Sequence, residues 1–226
     1  MGIYRGAEKF DHQEKYSVNI KYNVMPARHW SREMRTMRTL IVTAGLAVLL
    51  TGCITVSEYK FSFNFSTGEV RHVYYDLTSR QGADEKGYSV ESDWAGLKQM
   101  IGDKKPEFDP DVVEDISKEL FEENTVLCAQ KLQKVKCPKC FPSKAAILVQ
   151  LHDKDWRFEL INNEVFLFLP SGKKVISTNG HKMTTARNSV VVWPHETNKF
   201  EYVVSEQWSG GASLLPYYLK ERNEEK

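Results

Sequence analysis

The side chains with most chemistry to offer are four cysteines, Cys53, Cys128, Cys137 and Cys140, and the histidines His72, His152, His181 and His195. Cys137-Pro138-Lys139-Cys140 has the C-x-x-C spacing that zinc sites and dithiol oxidoreductases share. Redox exchange needs the first cysteine to open a helix, whose N-terminus lowers the thiol pKa. Phe141-Pro142-Ser143 follows instead, and Pro142 stops a helix from continuing. Zinc would take Cys128, Cys137, Cys140 and His152 as a tetrahedral set of three sulfurs and one nitrogen, although only Cys137 and Cys140 have typical ligand spacing. The plainer expectation is a disulfide from Cys128 to Cys137 or Cys140, with a typical gain of about 2 to 4 kcal/mol. Free thiols are the remaining alternative. Covalent haem in its usual form is excluded, because Phe141 stands where C-x-x-C-H needs histidine. The expectation is therefore no cofactor, with zinc as the alternative.

Other motifs fail on inspection. Ser171-Gly172-Lys173-Lys174 matches S-x-x-K by letter, but that chemistry needs the serine at a helix start and these residues read as a β-turn. Asp153 and Asp155 flank a turn; they read as capping groups, with cation binding as the alternative. His72, His152, His181 and His195, four of the six histidines, are isolated in sequence and read as structural. With no catalytic constellation legible, binding or assembly is expected rather than catalysis.

Upstream lies MRTMRTLIVTAGLAVLLTGC, Met34 to Cys53. Arg35 and Arg38 form a positive flank, and Thr39 to Leu50 is a twelve-residue apolar run, too short for a comfortable membrane span. The run closes on Leu50-Thr51-Gly52-Cys53: an aliphatic residue, two small ones, then cysteine. This resembles the lipobox of bacterial lipoproteins. The resemblance implies cleavage between Gly52 and Cys53 and acylation of Cys53 with two or three chains, palmitate among them. Each buried methylene contributes about 0.8 kcal/mol, and stable anchoring needs at least two chains. It further implies an envelope protein tethered to a membrane by its lipid, with an envelope protein as a possible partner. Ile54 in place of the aspartate that such proteins use for inner-membrane retention points to the outer membrane, facing the periplasm. Three cysteines would then remain, an odd number.

Residues 1–33 carry Glu8, Asp11, Glu14 and Pro26 and no amphipathic period, so they do not fit a signal n-region. They read as a non-native upstream extension or a disordered segment, with translation starting at Met34 or Met37. The expected organisation is a signal peptide over 34–52, a single domain over 53–220 and a charged tail over 221–226. Eight basic and four acidic residues precede Cys53, which leaves 23 basic and 26 acidic after it. That balance gives no electrostatic footprint for nucleic acid.

The elements that must position these groups read as an α+β domain: an N-terminal β-hairpin, about two helices, then an antiparallel, meander-like sheet. Tyr59, Phe61, Phe63 and Phe65 alternate with polar residues, Ser66-Thr67-Gly68-Glu69 is a turn, and Val70 to Thr78 alternates again. Ser92 reads as the cap of a first helix carrying Trp94, Leu97 and Ile101 and ending at Gly102. Asp109-Pro110 opens a second, with Val113, Ile116 and Leu120 on one face. Val126 to Val135 is ambiguous, and Ala145 to Leu151 reads as a central strand. Asn162-Asn163 turns one hairpin, Pro170-Ser171-Gly172 and Asn179-Gly180 mark further turns, and 188–193 is expected to pair with 199–205. The stretch from Thr178-Asn179-Gly180 to Trp193-Pro194 resembles a segment of uncharacterised bacterial envelope lipoproteins, and the resemblance carries no activity. Leu214 to Leu219 is expected to dock onto the sheet, with Pro216 blocking a long helix and the charged end fraying.

Overall fold

Residues 53–81, 88–103, 108–152, 155–184, 189–205 and 211–224 are described by a computed structural model. The expected signal peptide, the extension before it and Gly52 lie outside these residues. Among the described residues the chain is α+β, mainly β, with thirteen strands in three antiparallel sheets and three α-helices.

The N-terminal hairpin forms as its alternation requires. In β2 (Glu58–Asn64) Tyr59, Phe61 and Phe63 are buried and Lys60 is exposed, and β3 (Glu69–Tyr75) pairs with it antiparallel. Gly68 sits at φ 76° in the turn, and a Cβ there would lie 2.2 Å from the Val135 carbonyl oxygen, so the backbone approaches as only glycine allows. The hairpin grows on both sides. β6 (Val126–Val135) joins β3 and carries β5 (Val113–Glu123), while β12 (Lys199–Ser205) joins β2 and carries β9 (Lys174–Thr178). A second sheet orders β10 (His181–Thr184), β11 (Ser189–Pro194), β8 (Glu164–Phe168) and β7 (Arg157–Ile161), with Asn162 and Asn163 at φ 50° and 65° in the β7–β8 turn. A third joins β1 (Cys53–Thr55), β4 (Thr78–Arg80) and β13 (Ala212–Ser213).

Several expectations are corrected. Residues 113–123 are strand β5, not the second helix. Asp109 does make a cap-like turn, its carboxylate accepting from the Asp111 N–H and its carbonyl from Val112 and Val113. Beyond it Asn124 and Thr125, at φ 51° and 63°, fold β5 back along β6, and that ladder outweighs local helix preference. A bulge between Asp115 and Ser117 turns Ile116 outward, 56% exposed, while Val113 and Leu120 face in. The helical apolar spacing thus came from one extra residue in a strand. Ala145–Leu151 is likewise no strand: α2 (Lys144–Gln150) is capped by the Ser143 hydroxyl, which accepts from the Ala146 N–H, and it buries Ala145, Ile147, Leu148 and Leu151. The first helix, α1 (Val90–Gly102), starts from Ser89 rather than Ser92, the Ser89 hydroxyl accepting from the Ser92 N–H.

The expected pairing of 188–193 with 199–205 also fails. β11 pairs with β8 and β10, β12 pairs with β2 and β9, and the connection crosses from one sheet to the other. Such a crossing leaves carbonyls to satisfy. The buried Lys144 ammonium donates to the His195 carbonyl at 2.6 Å and the Thr197 carbonyl at 2.7 Å, and lies over the Phe65 ring. Thr178-Asn179-Gly180 makes a second tie between the sheets. The Asn179 carboxamide oxygen accepts from the Trp193 indole at 2.8 Å and from the Glu201 N–H at 2.9 Å, while its NH₂ donates to the Lys199 carbonyl. A Cβ on Gly180 would lie 2.6 Å from that indole nitrogen. The contact of Asn179-Gly180 with Trp193 is therefore a sheet-to-sheet staple.

Two apolar clusters cover the inner face of the six-stranded sheet. One joins Phe61, Phe63, Phe200 and Tyr202 to the second sheet and α2. The other joins Leu127 and Ala129 to Trp94 and Leu97 of α1, and to Leu77 and Leu214. The C-terminal segment docks as expected, with Leu214 fully buried, but Pro216 opens a helix instead of blocking one: α3 (Leu215–Glu224) includes the first four residues of the charged end, and the last two lie outside the described residues.

Candidate functional site

A row of directly opposed residues crosses the inner face of the six-stranded sheet: Lys118 on β5, Lys131 on β6, His72 on β3, Phe61 on β2 and Tyr202 on β12. The pleat places all five on one face, since residues in register share the phase of the period-two alternation. Where the two clusters meet, the row borders a cavity of about 130 Å³ lined by Tyr59, His72, Lys131, His152, Trp156 and Lys173. Tyr74, also in its wall, packs against both clusters.

A chain of hydrogen bonds fixes one wall. The Gln133 NH₂ donates to the Asp115 carboxylate at 2.6 Å, so its carboxamide oxygen faces His72 Nε2 at 3.1 Å. Nε2 therefore carries the proton, and the bare Nδ1 accepts from the Tyr59 hydroxyl at 2.7 Å. His152 is held the same way. Its Nδ1 donates to the Leu148 carbonyl at 2.7 Å, which leaves Nε2 to accept from the Tyr202 hydroxyl. Aromatic rings enclose it, with Phe61 4.4 Å and Phe158 4.8 Å away between centroids.

Both imidazoles are neutral. Burial first, then the neighbouring His152 and Lys131, holds His72 well below the usual histidine range, against a smaller opposing effect of the Gln133 hydrogen bond. Burial lowers His152 to about 3. Burial likewise raises the Tyr202 hydroxyl. With their ring nitrogens committed to fixed partners, neither histidine offers a base to the cavity at neutral pH. The charged groups of the lining are the ammoniums of Lys131, over the Phe108 ring at 5.2 Å, and Lys173, over the Trp156 ring at 5.2 Å.

The cysteines do not converge. Cys137 and Cys140, both exposed, are joined to each other, which corrects the expected bond to Cys128. Cys128 is buried and free on β6, and burial raises its thiol pKa. The physical reason is reach: from Cys128 to the end of β6 is seven extended steps, roughly 23 Å at 3.3 Å per residue. His152 points into the aromatic cluster, so the Cys128, Cys137, Cys140, His152 set is not assembled, and among the described residues no group of three or more such ligands converges. Pro138–Cys140 is a single 3-10 turn followed by extended backbone at Phe141, so no helix N-terminus faces Cys137. Peptide mapping after alkylation tests this arrangement. Cys128 should label only once the chain is denatured, and Cys137 and Cys140 only after reduction; a labelled Cys137 without reductant would contradict it.

Cys53, the expected lipidation site, lies in β1 opposite Arg80. Sequence reasoning missed the meeting of His72 with His152, whose ring centroids are 6.2 Å apart. The signal was present for His72, which shares the buried phase of β3 with Val70. None was present for His152, because its segment read as strand. No family model matches the chain, and no curated protein or solved structure is significantly similar to it.

Proposed function

We propose that this chain is a lipid-anchored bacterial envelope protein whose folded domain works by binding rather than catalysis. The observation that carries the anchor is Leu50-Thr51-Gly52-Cys53 closing an apolar run with a basic flank. β1 begins at Cys53 itself and is hydrogen-bonded to β4, so acyl chains on this residue would attach to the fold without a linker and hold the domain against the headgroups. Among the described residues no helix is long and apolar enough to cross a membrane. The binding role is supported by the seam cavity, whose histidines are neutral and bonded within the protein. An outer-membrane address facing the periplasm belongs to the same proposal, on the strength of Ile54. Radiolabelled palmitate fed to cells expressing the chain should enter the wild type and not Cys53→Ser, which should accumulate as an unprocessed precursor. Equal labelling of both would end the proposal.

A further inference from the structure

We infer that the outer face of the six-stranded sheet carries a binding groove for a small zwitterion, a carboxylate with an ammonium close by, as in an amino acid or a short peptide. The pleat builds it. Phe61 and Phe63 of β2 face inward and are fully buried, so Lys60, Ser62 and Asn64 face outward. Ser62 stands directly opposite Arg71 on β3 and opposite Glu201 on β12. A short side chain between two long charged ones leaves a depression, and an open groove of about 330 Å³ lies there, bordered also by Lys60, Glu69 and Lys199. That volume falls within the range of small-ligand clefts, about 300 to 1,000 Å³. The three strands that build it belong to stretches described without a break, 53–81 and 189–205. Because β2 is paired on both sides, its backbone is committed to the sheet and recognition falls to the side chains.

Both signs of charge meet across Ser62. The Arg71 guanidinium is a fork that matches a carboxylate with two parallel hydrogen bonds, the Ser62 hydroxyl is a further donor, and Lys60, the next outward residue of β2 at about 7 Å, adds an ammonium. On the other flank Glu201 offers a carboxylate. Lys199 pairs with it at 2.9 Å, but a carboxylate has about four acceptor sites, so it can take a second cation. Arg71 and Glu201 are two interstrand spacings apart, about 10 Å between backbones, and a ligand bearing both charges bridges them. A phosphate would meet the carboxylates of Glu69 and Glu201 as well as the cations, and that repulsion grows with its charge, so the mixed lining selects the zwitterion.

The shared chemistry has two sources, a free amino acid or a short peptide. The test follows backbone amide resonances of the full chain in detergent during titration with glycine, diglycine, N-acetylglycine and inorganic phosphate. Glycine or diglycine should shift the amides of Ser62, Arg71 and Glu201 saturably. N-acetylglycine keeps the carboxylate and lacks the ammonium, and it should bind about tenfold more weakly, the loss expected for one charged hydrogen bond. Arg71→Gln should weaken zwitterion binding by about the same factor. Glu201→Gln should weaken the zwitterions and leave N-acetylglycine unchanged, a distinction that a general disturbance of the sheet would not produce. Arg71 is exposed and Glu201 half-buried, so both variants should fold, and the same spectra show whether they do. If one does not, Lys60→Gln, at an exposed position, replaces it and should weaken binding of every carboxylate. Whichever of glycine and diglycine binds more tightly identifies the source, and either upholds the groove. Absence of a saturable shift at these residues, phosphate binding as tightly as the zwitterions, or binding that no substitution weakens overturns it. The titration reads the groove whether or not Cys53 carries lipid, so its failure is separate from that of the palmitate experiment.

Discussion

Denaturant midpoints should fall steeply as the pH is lowered from 6.5 to 4.5, well before most carboxylates titrate. The unfolded chain takes a proton on His152 near its ordinary value of 6.5, whereas the folded chain refuses it until about 3. Because the folded-state pKa is the lower one, the unfolded state binds more protons in this window, so stability is complete above 6.5 and is lost towards 3. One such group takes about tenfold off the folding constant per pH unit, or about a hundredfold between 6.5 and 4.5. His72, also held well below its ordinary value, adds in the same direction. Of the two lysines that line the cavity with the pair, Lys131 and Lys173, Lys131 opposes protonation of His72 further. Glu91 and Glu221, whose pKa values are lowered chiefly by hydrogen bonds, would lose their contributions only at lower pH; Glu91 is exposed and Glu221 half-buried. Urea titrations of the wild type and His152→Phe at half-unit pH intervals check this. The variant should be weaker at neutral pH, since Tyr202 and the Leu148 carbonyl lose their partner, yet its dependence on pH should be shallower. A wild-type midpoint that is flat from pH 7 to 5 would mean the histidines are not buried as neutral groups.

Ending the chain at Gly211 should lower the melting temperature on the order of 10 °C, because α3 and Leu214 close the second cluster. Leu214 is fully buried and its N–H donates to the Leu77 carbonyl, while Leu215, Tyr217 and Tyr218 pack around it. Its removal would expose Trp94 and Leu97 and leave the Trp94 indole without Glu221, its acceptor at 3.0 Å. Fully burying each large apolar side chain contributes about 1.5 to 3 kcal/mol, and here one is fully buried and three partly. The point variant Leu214→Ala should reproduce a substantial share, about 2 to 5 kcal/mol. A truncated chain with an unchanged melting curve would show that the segment serves a partner and not the fold.

Both effects depend on groups whose places were unequally legible. The β2–β3 hairpin could be read directly, because Tyr59, Phe61 and Phe63 alternate without a break and Gly68 supplies the positive φ of the turn. Asn162-Asn163 was legible for the same reason. Residues 113–123 were misread because Val113, Ile116 and Leu120 fall at helix spacing, whereas the bulged strand brings only Val113 and Leu120 inward. Ala145–Leu151 was misread because a short run that is apolar on both faces suits a buried strand as well as a helix. The lysine clamp of Lys144 on the crossover had no local signal, since it contacts carbonyls 51 and 53 residues away.

By itself the sequence determined what short-range forces decide: where the tight turns fall, which faces of β2 and β3 are apolar, and that Leu214 and its neighbours must be covered. Tertiary structure alone decided what depends on partners distant in sequence. β5 is a strand because β6 offers it a ladder, β11 and β12 part because each finds its neighbours in a different sheet, and Cys128 stays free because a full strand length separates it from Cys137. The seam cavity belongs to the same category. His72 and His152 lie 80 positions apart, and nothing local to either specifies the burial that keeps them neutral. Local preferences select among a few backbone states over a handful of residues, whereas desolvation and sheet pairing are set by whatever the folded chain brings against them.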